Sequence, residues 1–197
     1  MIQKPKTEEE RATVLKSEYL FRRPWLTVRR ETIQLPNGHT VPEYYVLEYP
    51  DWVNTIAVTR EGKYIFVRQY RHGLKRRLIE LCSGVCEPTD ATPLDTARRE
   101  LLEETGYGGG TWRELMVISA NPSTQNNLTH CFVATDVEII STPHLEFSED
   151  LSLVLLSEDE VRDMLKRDEI KQALHAAPLW RYMAEKDSLQ REPSGNK

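Results

Sequence analysis

The sequence predicts an α/β fold in which strands dominate the first half, one capped acidic helix follows, and two further helices close the chain. Three observations carry this expectation. Turn signals at Pro36-Asn37-Gly38 and Arg60-Glu61-Gly62-Lys63 each separate runs rich in β-branched and aromatic residues. Thr92 and Gly106, a cap and a stop, bracket a helical stretch between strand-like segments. Ser157 with Glu160 forms a second cap directly after the apolar run Leu151 to Leu156.

In chain order, a polar leader precedes a first hairpin, Trp25 to Arg30 with Thr40 to Tyr49. A second hairpin joins Thr55 to Thr59 and Tyr64 to Gln69, with Gly62 supplying the positive φ of a tight turn. Leu78 to Cys82 is a short apolar run that leads through Ser83-Gly84 into a polar loop ending at Thr92. The helix then begins. Thr92 caps it, Pro93 suits its first position because an N–H there would lack a partner, and Asp95 favours the positive end. Thr111 to Ser119 and Thr129 to Val137 read as strands around an Asn- and Ser-rich loop. The Ser157 cap opens a helix to about Lys166, a last helix spans about Glu169 to Lys186 with Pro178 as a kink or break, and the polar tail from Asp187 is expected to be disordered.

A chain of 197 residues with 39% hydrophobic content suits one globular domain with a small appended element. No apolar stretch approaches the roughly 20 residues of a membrane span, and Met1 to Thr13 is too charged for a secretory signal, so a cytoplasmic protein without a membrane partner is expected. Cys82, Cys86 and Cys131 lack zinc-site spacing, as do the histidines, and read as buried thiols. A net charge of -5 argues against a nucleic-acid partner and favours a small anionic ligand held by a few placed cations.

The segment that carries chemistry is Arg99-Glu100-Leu101-Leu102-Glu103-Glu104-Thr105-Gly106-Tyr107. At about 100° per residue, Glu100, Glu103 and Glu104 share one arc of the helix while Leu94, Ala97 and Leu101 share another. Three carboxylates at i, i+3 and i+4 repel one another, so a cation is expected among them. Hard oxygen ligands suit Mg²⁺, with Mn²⁺ as a substitute. Arg99 is placed to pair with Glu103 one turn on. An isolated E-x-x-E-E could be no more than a solvated acidic face, and it is the setting that argues otherwise.

That setting is a glycine (Gly84), a spacer, an acid, a spacer, then R-E-apolar-x-E-E-x-G-apolar, and in this the chain resembles the Nudix hydrolases. One departure stands out. Counted back from Arg99 the loop acid of the motif falls on Ala91, and counted forward from Gly84 it falls on Asp90. The loop is one residue longer, and its acid is either shifted and shortened or absent. Altered loop geometry is expected from this, more than lost activity.

The resemblance covers roughly Trp25 to Tyr182 and extends to ADP-ribose pyrophosphatases and related nucleoside diphosphate sugar hydrolases. Val67-Arg68-Gln69-Tyr70-Arg71, then Leu78-Ile79-Glu80-Leu81, look like the strand pair before the motif, and Pro122 stands where that subgroup carries a marker proline. The resemblance implies an α-β-α sandwich with a central mixed sheet, preceded by a small N-terminal β-hairpin region over 1–50 that serves a homodimer. The hydrolase domain would span 51–186 and a flexible tail 187–197. It further implies Mg²⁺ held by the Ser83 carbonyl, Glu100 and Glu104, with Glu103 near a further ion and catalytic. Gly84, Arg99 and Gly106 would shape the motif.

On the substrate side, the same resemblance implies that Arg71 contacts the diphosphate and that Trp25 stacks on the base. Glu149, with Glu146 as second choice, would position or deprotonate the attacking water. The expected reaction is hydrolysis of the diphosphate link of ADP-ribose or a related nucleoside diphosphate sugar, giving a nucleoside monophosphate and a sugar phosphate. Amides in Asn121 to Asn127, Asn126 among them, can read sugar hydroxyls, which makes GDP-mannose or another nucleotide sugar the rival substrate. A non-catalytic nucleotide-sugar sensor is a further alternative, prompted by Ala91.

Overall fold

An eight-stranded mixed sheet forms the larger of two units in this computed structural model, which describes residues 11–144 and 150–191. Along the sheet run β11 (Leu151–Leu156), β5 (Tyr64–Arg71), β4 (Trp52–Thr59), β10 (Thr129–Ile139) and β8 (Tyr107–Gly108). β6 (Arg76–Glu80) pairs with β5, β7 (Cys82–Val85) with β4, and β9 (Thr111–Ile118) with β10. β4 and β10 are parallel, whereas β4 meets both β5 and β7 antiparallel.

Successive residues of the central strands divide between two cores. Ala57, Ile65 and Ala134 pack with Leu101 of α1 (Pro93–Thr105) on one face. Ile56, Phe66 and Val133 pack on the other with Val161 and Leu165 of α2 (Glu158–Lys166) and Leu179 and Met183 of α3 (Ala173–Arg191). Coverage on both faces is why these strands read as continuous apolar runs instead of alternating ones. The result is the α-β-α sandwich expected from the resemblance.

α3 departs from its expected bounds at both ends. Asp168, at φ 53, turns the chain after α2 and the Glu169 N–H closes back on the Met164 carbonyl, so the last helix starts at Ala173 and not near Glu169. It also runs through Asp187 to Arg191, inside the stretch expected to be a flexible tail. Asp187 is held there by Arg162 of α2, Nη2 to Oδ1 at 2.8 Å. Pro178 lies inside the helix without ending it. A proline at 178 has no N–H to give the carbonyl of Leu174, and the buried Asn54 fills that vacancy, donating from Nδ2 at 2.8 Å.

The second unit comprises the chain up to Asp51 together with Ser119–Leu128. β1 (Thr13–Arg23), β2 (Leu26–Gln34) and β3 (Thr40–Glu48) form an antiparallel sheet, with Gly38 at φ 83 in the turn between β2 and β3. β1 corrects the expectation of a polar leader. Irregular pairing between Val14 and Lys16 and between Tyr19 and Phe21 breaks the alternation that marks a strand in sequence. The Asn-rich loop joins this sheet. The Leu47 N–H donates to the Thr124 carbonyl at 2.7 Å, and the Tyr44 hydroxyl donates to the Ser123 carbonyl.

Candidate active site

α1 is placed by its ends. The Thr92 hydroxyl accepts from the Asp95 N–H at 3.2 Å, Pro93 opens the first turn, and Gly106 closes the helix at φ 75 with its N–H on the Leu102 carbonyl. Buried Ala97 and Leu101 fix the rotation of the helix against the sheet. That rotation turns Glu100 and Glu104 toward β7.

The two carboxylates come to rest on adjacent residues, Glu104 on Ser83 and Glu100 on Gly84. Glu104 is 5% exposed and its Oε2 accepts from the Ser83 N–H at 3.2 Å. Glu100 lies against Gly84 so closely that a Cβ there would stand 2.0 Å from its Cδ, which only glycine avoids. Cys82, wholly buried beside Glu104, has its thiol pKa pushed well up, by burial first and then by that carboxylate.

Arg99 gathers the remaining acids. Its Nη1 lies 2.9 Å from Glu103 and 2.9 Å from Glu100, while Nε and Nη2 grip both oxygens of Asp90 at 3.2 and 3.0 Å. Asp90 also accepts from the Thr96 hydroxyl at 2.9 Å and the Glu87 N–H at 3.1 Å. Arg99 in the first place, then the other donors, hold the Asp90 carboxyl down at about 2. The two placements left open in sequence thus resolve in favour of Asp90. The acid is present, shifted by one residue, and ties the loop to the helix.

The donor set fits a small divalent cation. Asp90, Glu100 and Glu103 share one arginine, and Glu104 rests on the Ser83 N–H, so negative charge is in surplus. Among the described residues no three Asp, Glu, His or Cys side chains form a complete cage. Magnesium does not need one, since it is usually held by one or two carboxylates and keeps several waters.

Residues 49–184 match the NUDIX domain family, and residues 13–47 match the nucleoside diphosphate sugar hydrolase N-terminal domain. The chain belongs to the Nudix family. An ADP-ribose pyrophosphatase of Bacillus subtilis (strain 168) is 31% identical over 92% of this chain and 96% of its own length. A GDP-mannose pyrophosphatase of Salmonella arizonae is 28% identical over 73% of this chain and 71% of its own. A solved structure described as an ADP compounds hydrolase superimposes with a TM-score of 0.79 at 23% identity, covering 91% of this chain and 96% of that one, which supports the fold. The divalent ion that Nudix enzymes generally require fits the Glu100 and Glu104 pair.

The other predicted positions of this Nudix chain lie on other elements. Arg71 ends β5 and binds Glu80 of β6 through Nε, 3.1 Å from both oxygens, and through Nη2 at 2.6 Å. Trp25, 85% exposed, sits in the turn between β1 and β2. Pro122 is exposed in the Asn-rich loop. The side-chain Oδ1 of Asn126 accepts from the Tyr49 N–H at 3.0 Å, so that amide also ties its loop to the end of β3. Glu146 and Glu149 lie outside the described residues.

Two buried groups near Arg71 were not anticipated. Glu80 is 1% exposed, and His175 of α3 accepts at Nδ1 from the Leu81 N–H at 3.3 Å. The one available signal was an acid inside the apolar run Leu78-Ile79-Glu80-Leu81.

Proposed function

We propose that this Nudix hydrolase cleaves the diphosphate link of ADP-ribose or a related nucleoside diphosphate sugar, acting in the cytoplasm as a homodimer with Mg²⁺. The observation that carries the reading is the convergence of Glu100 and Glu104 on Ser83-Gly84. The match of residues 13–47 to the nucleoside diphosphate sugar hydrolase N-terminal domain favours that substrate class. Exposed Leu15, Tyr19, Leu20 and Phe21 on β1 supply apolar surface of the kind that pairs subunits.

In this reading the Ser83 carbonyl, Glu100 and Glu104 hold the ion, with Glu103 at its edge. When bound, Mg²⁺ offsets charge on the phosphoryl oxygens and lowers the pKa of a water. Arg71 pairs with the diphosphate oxygens, a task its forked guanidinium suits. Glu149, or Glu146 in its place, takes a proton from the attacking water. Water adds at one phosphorus, the bridging P–O bond breaks, and ADP-ribose yields AMP and ribose 5-phosphate. Arg99 acts on geometry, holding Glu100 and Glu103 at one end and the loop acid Asp90 at the other.

GDP-mannose is the second substrate reading, favoured by the amide-rich loop Asn121 to Asn127 and by the GDP-mannose pyrophosphatase relative. The sensor alternative loses its motive, because Asp90 supplies the loop carboxylate that Ala91 lacks. Phosphate-product analysis with each nucleotide sugar, with and without Mg²⁺, separates the two substrates. Binding without turnover would return the sensor reading.

A further inference from the structure

We propose that Glu80 is a positioning residue that holds one edge of the Arg71 guanidinium so that the arginine presents a fixed orientation to the substrate diphosphate. The proposal rests on the assignment of Arg71 to the diphosphate made above. It adds a residue, and a reason for the arginine's orientation, that neither the sequence motif nor the similarity to relatives supplies.

The pair is asymmetric. Glu80 is 1% exposed while the Arg71 side chain is 40% exposed, so one partner is fixed in the core and the other reaches solvent. Both carboxylate oxygens of Glu80 are engaged by the Nε edge of the guanidinium, at 3.1, 3.1 and 2.6 Å. A guanidinium gripped along that edge cannot rotate about its terminal bonds, which removes rotamer freedom before any anion arrives.

Stability alone does not account for such a pair. Taking a carboxylate out of water costs several kcal/mol, and a half-exposed arginine returns only part of it, so an apolar residue at position 80 would serve the core at least as well. Position 80 is moreover flanked by buried Leu78 and Leu81. The glutamate has a local task. Arg71 stands directly across from Arg76 in the β5–β6 register, and like charges in that relation repel. Val67, the cross-strand partner of Glu80, lies four residues before Arg71 on β5, so Glu80 and Arg71 share a face of the sheet. Glu80 is therefore placed to draw the arginine back from the repulsion and to set its direction.

The holder is itself held. The Leu81 N–H, next in the chain, is tied to His175 of α3. The Ser83 N–H, two residues further, is tied to Glu104. The short stretch from Glu80 to Ser83 thus links the diphosphate arginine to the carboxylates of α1. The surrounding charge favours an anion. From Arg68 to Glu80 there are five Lys or Arg side chains and one acid, Glu80.

The test is a double-mutant cycle on ADP-ribose hydrolysis with Mg²⁺, measuring kcat and KM for the wild type, Arg71→Ala, Glu80→Gln and the pair. Arg71→Ala should raise KM by about 100-fold. Glu80→Gln, which keeps size but puts an amide donor against the guanidinium, should raise KM about tenfold with kcat within about threefold, the signature of lost binding shared by ground and transition states. In the Arg71→Ala background Glu80→Gln should add less than about twofold to KM and should raise the melting temperature, since it neutralises a carboxylate left buried without its partner. Glu80→Asp, which keeps the charge and shortens the reach, should raise KM in the same direction and carries the test if the glutamine variant fails to fold. Multiplicative effects, or a Glu80 variant with wild-type KM beside an impaired Arg71→Ala, would overturn the proposal. An Arg71→Ala enzyme with unchanged KM would instead overturn the diphosphate assignment beneath it.

Discussion

Gly84 shows how one missing side chain serves the site. Its Cα lies so close to the Glu100 carboxylate that a methyl group there would stand 2.0 Å from Cδ and force the carboxylate to move. Gly84→Ala should displace that carboxylate and lower kcat by about tenfold or more, with a melting temperature near that of the wild type. On the proposed ligand role, Glu104→Gln should cut kcat by about 100-fold while circular dichroism stays unchanged, because the amide removes the charge and leaves the core closed. A glutamine variant with the wild-type rate would remove Glu104 from the metal site. Glu100 and Glu104 were legible in sequence because their shared helical arc lies inside the motif that runs from Gly84 to Gly106, a setting that a merely solvated acidic face does not need. The loop acid was not, because counting residues cannot say whether a shortened side chain shifted by one still reaches Arg99. Glu80 and His175 escaped for a different reason. A lone polar residue in an apolar run shows its partner only when the strands are paired and the helix is laid on them.

At the scale of elements, polar groups join α3 to the sheet side, and one of them replaces a missing helix bond. Asn54 donates to the Leu174 carbonyl that Pro178 leaves without an N–H. Asn54→Leu should therefore cost about 1–3 kcal/mol in urea denaturation, the penalty of an unpaired buried carbonyl. A neutral outcome would mean water or local adjustment satisfies it. His175 gives the same junction a pH dependence. Burial first, with Arg71 assisting and Glu80 opposing, lowers its pKa from 6.5 to about 4. The unfolded chain then binds the proton more readily than the folded one between those values, so stability rises with pH across that window and falls as pH drops from 6.5 toward 4. The loss amounts to about 3 kcal/mol at most. His175→Asn should flatten that slope in thermal melts between pH 4 and 6.5, and an unchanged slope would assign it to other groups. The caps of α1 and α2 were readable residue by residue, since Thr92, Gly106, Ser157 and Glu160 act through their own atoms. β1 was not, because its two irregular pairings break the alternation that sequence reading depends on.

The whole molecule consists of two compact units. The sandwich carries the acidic helix, Arg71 and the loop acid, and the three-stranded sheet carries Trp25 and the Asn-rich loop. The sandwich was legible from the motif, because its central strands are rich in apolar residues and α1 and α2 carry caps. The attachment of Asn121 to Leu128 to the N-terminal sheet was not, since it depends on backbone bonds such as Leu47 to Thr124 that no side chain announces. If exposed Leu20 and Phe21 pair subunits, Phe21→Glu should shift the protein from dimer to monomer in light scattering with the melting of the sandwich retained. A wild type that is already monomeric at micromolar concentration would contradict that.

The most direct measurement is product identification by chromatography after incubating the purified protein with Mg²⁺ and, separately, ADP-ribose, GDP-mannose, UDP-glucose, NADH and diadenosine polyphosphates. The expected result is cleavage of ADP-ribose to AMP and ribose 5-phosphate, or of one nucleotide sugar to the corresponding monophosphates, abolished by chelation of the ion. Intact substrates throughout, with Mn²⁺ as well as Mg²⁺, would contradict it.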